Sequence, residues 1–144
     1  MTDGSSWRPE AVPATTIEEC ARLIAARLER CALELGASDL ASPATWQQVA
    51  DRLGVRYHTW YSPGGDRGEC AWHPLFGCAI AINEAYPPRE QAAAYVHELA
   101  HAAVFEWIPP QLTGAADVYR YDDDPGCVRH QVARRVEELV FPSP

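Results

Sequence analysis

Apolar residues recur at three- and four-residue intervals through Ile17, Ala21, Ile24, Leu28, Cys31 and Leu35, the spacing that lines one face of a helix. Thr16-Ile-Glu-Glu19 reads as a capping box at its start, and Gly36 stops it. Ser42-Pro43 offers an N-cap followed by proline in the first turn. A short helix is expected there, with Trp46, Val49, Ala50 and Leu53 inward and Gly54 ending it. Val55 to Tyr61 reads as a strand, and Pro63-Gly64-Gly65 turns the chain. Phe76 to Asn83 is almost continuously apolar and predicts a second, well-buried strand. Pro87-Pro88 opens a long run of helix formers that Pro109-Pro110 bars from continuing, and Val128 to Val140 resumes helical spacing. The pattern predicts a mostly helical α+β fold with a small β-sheet, without repeats or an internal boundary. Residues 1–14 are expected to form a disordered tail and residues 15–144 a single domain.

Composition narrows the partners. The 144 residues can bury a sizeable core, and a content of 47% hydrophobic and 22% charged residues is ordinary for a globular chain. A net charge of −8 argues against direct binding of nucleic acid, which favours a basic face. No apolar run is long enough to span a membrane, and the start of the chain lacks the apolar stretch of a signal peptide. Five cysteines without a C-x-x-C pair fit reduced thiols, and a cytoplasmic location is expected. Cys20 and Cys31 fall at helical spacing as small core residues. Asp122 to Asp124 read as a solvated loop.

The chemistry concentrates at His97-Glu98-Leu99-Ala100-His101, an H-E-x-x-H pattern inside the long predicted helix. Residues i and i+4 stack on one helical face, so both imidazoles can reach one ion. Glu98 is rotated about 100° away, placed to miss the metal and to act on a water that the metal activates. Two imidazoles beside an open position suit Zn²⁺ in a catalytic site, with Glu98 as general base. The plain alternative is a helix whose two histidines meet solvent or hydrogen-bond.

A third ligand, if the site has one, comes from elsewhere in the chain. His130, at the start of the last predicted helix, is an intrinsically good zinc ligand and is preferred. Glu137 and Glu138, two turns further on, remain alternatives, although both also fit a helical surface balanced by Arg134 and Arg135. Cys127 and Asp122 to Asp124 are weaker candidates. His58 and His73, in or beside strands, read as ordinary surface or core residues. Tyr119, Tyr121 and Arg129 precede or flank the last helix, where a donor to a developing oxyanion would be useful.

The order of these features resembles the ImmA/IrrE metallopeptidase domain. The resemblance rests on Asp51-Arg-Leu-Gly-Val-Arg56, the strand ending Ala-Ile-Ala-Ile-Asn83, the Pro-Pro-Arg-Glu-Gln approach, His97-Glu-Leu-Ala-His101, His130-Gln-Val-Ala133 and Leu139-Val-Phe-Pro142. It covers roughly Ile17 to Pro142. It implies a zincin-like fold with the sheet beside the H-E-x-x-H helix, and an intracellular zinc-dependent endopeptidase acting on a protein substrate, a helix-turn-helix repressor being the expected target. The family usually presents a glutamate where this chain has His130; an imidazole there would raise the charge of the site by one unit and strengthen the metal as a Lewis acid. The competing class is a non-catalytic binding or sensor module with a structural or vestigial zinc site. Glu98 separates the two, since a structural site has no use for a carboxylate beside an open coordination position. Substrate identity and oligomeric state are not legible in the chain.

Overall fold

The computed structural model describes residues 14–73, 77–107 and 127–142, with side chains at 14–71, 79–102 and 127–142. Four helices and three strands follow one another: α1 (Ile17–Glu34), α2 (Pro43–Leu53), β1 (Arg56–Trp60), β2 (Gly68–His73), β3 (Gly77–Asn83), α3 (Pro88–Trp107) and α4 (Val128–Val140). This is an α+β arrangement. The expected tail lies outside the described residues except for Ala14, which is buried in the core.

Local signals set the helix ends. The Thr16 hydroxyl accepts from the Glu19 amide at 3.1 Å, as a capping box requires. The return bond differs: the Glu19 carboxylate accepts from the Thr15 amide at 2.8 Å, one residue earlier than the simple box places it. Ser42 caps α2 through its backbone position, and its side chain makes no capping bond. Gly54 closes α2 in the left-handed region at φ 75°, with its amide directed at the Ala50 and Asp51 carbonyls.

The sheet has the order β1-β3-β2. β3 is central, parallel to β1 and antiparallel to β2. A central strand is covered by neighbours at both edges and here also by α3, so Ile80, Ala81, Ile82 and Asn83 are all buried. β2 was not expected from the sequence. Gly68-Glu-Cys-Ala-Trp-His73 carries no clean alternation of apolar and polar residues, and pairing with β3 is what makes it a strand.

α3 packs on β2 and β3, on α2 and on α4, while α4 also packs against α1. A helix with neighbours on so many sides must be apolar nearly all round. Accordingly Ala92 to Val96, Leu99, Ala100 and Ala102 are buried. The polar residues that share this surroundings are the motif residues Glu98 and His101, 8% and 3% exposed. Among the described residues, no helix is long and apolar enough to cross a membrane.

Asn83 ends β3 and organises the turn that leads to β2. Its fully buried side chain accepts from the Ser62 and Ala85 amides and donates to the Ser62 and Asp66 carbonyls, at 2.8 to 3.1 Å. The turn itself has Pro63 followed by Gly64 at φ 79°, closed by a 3.0 Å bond from the Gly65 amide to the Ser62 carbonyl, the arrangement of a type II turn.

Candidate metal centre

His97 and His101 project from one face of α3, and His130 reaches the same point from the first turn of α4. The packing of α4 across α3 brings them together, with ring centroids 4.8 Å apart for His97 and His101 and 5.5 Å from each to His130. One potential ligand atom from each lies within 4.8 Å of the others, so the three histidines can hold a metal ion.

The nitrogens fit that role. His97 Nε2 and His101 Nε2 are 3.2 Å apart. Two nitrogens each about 2.0–2.1 Å from a tetrahedral zinc would stand about 3.3 Å apart. His97 Nδ1 lies 3.0 Å from Glu137 Oε1. Burial opposes ionisation of Glu137, but hydrogen bonds from His97 and Arg67 and their charge prevail and hold its carboxyl at about 2. An ionised carboxylate only accepts hydrogen bonds, so Nδ1 carries a proton directed at Glu137 and Nε2 is the nitrogen turned toward His101. His101 is pushed down to about 3, first by burial and then by His97, His130 and Arg129. It is therefore neutral near pH 7 and able to donate an electron pair to a cation. Its Nδ1 is buried and without a hydrogen-bond partner.

Glu98 occupies the wall of a cleft of about 550 Å³ that His97, His101 and His130 also line. The cleft is also lined by Asp66 and Arg67 and by Gly68 to Cys70 at the start of β2. Gly68 faces Glu98 so closely that a Cβ there would stand 3.1 Å from Glu98 Cγ and 3.3 Å from Oε2. A second cavity continues past the histidines toward Arg134, Glu138 and Phe141, sharing Arg67, His97 and His130 with the first. The cluster is thus open on two sides.

The structure brings together His97, Glu98, His101 and His130. Glu137 meets His97 on the nitrogen turned away from the cluster, while its other partner is Arg67, 2.8 Å from Oε1. It is a half-buried bridge between elements, its side chain 22% exposed, rather than a purely surface charge balanced by Arg134 and Arg135. Glu138 does lie at the surface, paired with Arg135 at 3.4 Å. Arg129 is buried behind His101 and lines neither cavity. Cys127 is buried at the start of α4 and does not join the cluster. His58 is exposed on β1, away from the cleft. The side chain of His73, together with Tyr119, Tyr121 and Asp122 to Asp124, falls outside the described residues. No disulfide joins Cys20, Cys31, Cys70 or Cys127; burial pushes the Cys20 and Cys31 thiols up to about 11.

Arg67, Gly68 and Asn83 carry no functional signal along the chain. Glu137 did carry one. It follows His130 by two helical turns and so shares its face of α4, the face that meets α3.

No family model, no curated protein and no solved structure matches this chain.

Proposed function

We propose that this chain is an intracellular zinc-dependent metalloendopeptidase of the ImmA/IrrE type, with a zincin-like placement of its H-E-x-x-H helix beside the sheet. One observation carries the reading: the buried Glu98 carboxylate and the three-histidine cluster line one open cleft. A structural metal site is closed by four protein ligands, and an acid lining a cleft beside three ligands serves no purpose in it.

Zinc, when bound, supplies a Lewis acid that lowers the pKa of a water and polarises the scissile carbonyl. His97, His101 and His130 would hold it. Glu98 takes the proton from the attacking water and returns it to the departing amine nitrogen. Gly68, with no side chain, lets the β2 wall come close to Glu98. The substrate expected from the resemblance is a repressor-like DNA-binding protein, and the net charge of −8 favours encounter with such a basic partner.

Glu98→Gln tests the reading. Zinc should remain bound and the fold intact, while cleavage of a helix-turn-helix repressor should stop, because an amide does not accept the proton. Equal cleavage by wild type and Glu98→Gln refutes the mechanism. Tight binding of the repressor with no cutting by either protein would make the chain a binding module.

A further inference from the structure

We propose that Glu137 is a positioning residue for the metal centre, holding His97 with Nε2 toward the ion and supplying the nearby negative charge that three neutral imidazoles lack. The proposal rests on the metallopeptidase reading above.

Three observations converge on it. Glu137 Oε1 is 3.0 Å from His97 Nδ1, while the opposite nitrogen of the same ring is 3.2 Å from His101 Nε2. The ring is therefore engaged on both sides, by a carboxylate behind and by the cluster in front. Second, Arg67 donates to that same Oε1 at 2.8 Å, so the carboxylate is held from a direction independent of His97. Third, the helical spacing of α4 decides what Glu137 can do. It stands about 10.5 Å along the axis from His130, too far for the two to bind one side of one ion. His130 meets the cluster in front of His97, and Glu137 passes behind.

The consequence is chemical. An imidazole whose Nδ1–H points at a carboxylate is fixed in tautomer and orientation and becomes a better electron donor through Nε2. Three histidines bring no charge to a divalent ion, so the site keeps two positive charges in a partly buried place. Glu137 brings one negative charge within reach through the ring, partly shared with Arg67. The carboxylate thereby tempers the metal without using a coordination position, and the position stays open for substrate.

The test compares Glu137→Gln with Glu138→Gln, the latter altering the exposed neighbour that pairs with Arg135. Zinc affinity is measured by chelator competition, the tautomer of His97 by nitrogen-15 NMR of the metal-free proteins, and the fold by thermal unfolding. Glu137→Gln should weaken zinc binding by roughly 10- to 100-fold and move His97 from the pure Nδ1–H form toward a mixture of tautomers, without loss of the folded state. Glu138→Gln should match wild type. If wild type binds zinc and Glu137→Gln binds it equally tightly, the proposal is overturned while the metallopeptidase reading stands. If cobalt(II) spectra show that Glu137→Gln removes an oxygen ligand, Glu137 is itself a ligand and the proposal is again overturned. A wild type that takes up no zinc overturns the metallopeptidase reading, and this proposal with it. Should Glu137→Gln fail to fold, Glu137→Asp, which shortens the reach to His97, replaces it with the same expected loss of affinity and the same overturning result.

Discussion

Gly68 lies so close to Glu98 that an added Cβ would meet Glu98 Cγ at 3.1 Å, Oε2 at 3.3 Å and the Ala81 carbonyl of β3 at 3.1 Å. The carbonyl belongs to the central strand, so Gly68→Ala should shift β2 or the Glu98 side chain by a few tenths of an ångström. Overpacking of this kind costs about 1–3 kcal/mol. On the proposed reading of the site, Gly68→Ala should retain metal binding and lower the rate of cleavage, because the shift falls on Glu98 and not on the histidines. Activity equal to wild type in a cleavage assay would show that the β2 wall does not position Glu98.

The choice of third ligand is tested by His130→Ala beside Glu138→Ala. If His130 is a direct ligand, as proposed, its removal should weaken zinc by more than the roughly 100-fold expected for an outer partner, and Glu138→Ala should leave affinity unchanged. Retention of zinc by His130→Ala together with its loss in Glu138→Ala would assign the ligand to the wrong turn of α4.

Acid should destabilise the metal-free protein in a defined window. In the unfolded chain His101 takes up a proton below its ordinary value of 6.5, whereas in the folded chain it resists down to about 3. Protons therefore favour the unfolded state between these values, and stability falls as pH drops from 6.5 toward 3, by up to about 1.4 kcal/mol per pH unit. Below the ordinary carboxyl value of 4.5, Glu137 adds to the loss, since its folded value is about 2. Urea unfolding across this range reads the slope. His101→Asn should flatten the upper part; an identical slope in that variant would place the acid sensitivity elsewhere.

Asn83 should matter to stability out of proportion to its size. Four hydrogen bonds converge on its buried amide, from Ser62, Ala85 and the Asp66 carbonyl. Asn83→Ala strands the two amides and two carbonyls and should cost about 3 kcal/mol. Asn83→Asp should be at least as harmful, because a carboxylate faces two carbonyl oxygens and has nothing to donate. Thermal unfolding checks both, and a midpoint unchanged in Asn83→Ala would show that water replaces the amide at no cost.

What this chain determined by sequence alone is whatever depends on near neighbours. The Thr16 cap, the stops at Gly36 and Gly54, the Pro63-Gly64 turn and the periodicity of α1, α2 and α4 are all local, since capping and backbone preference act within a turn or two. The pairing of His97 with His101 is local for the same reason: four residues along a helix return to the same face. The other relationships needed the folded chain. β2 exists because β3 offers it a ladder, and no alternation in Gly68 to His73 announces it. Glu137 becomes the partner of His97 only when α4 lies across α3, and Arg67 reaches it from the turn between β1 and β2 that Asn83 pins. His130 was nominated by its chemistry and its helix, but its meeting with His97 and His101 depends on two helices distant in sequence crossing at one level. Hydrogen bonds and ion pairs between distant segments are set by packing, and packing has no one-dimensional signature.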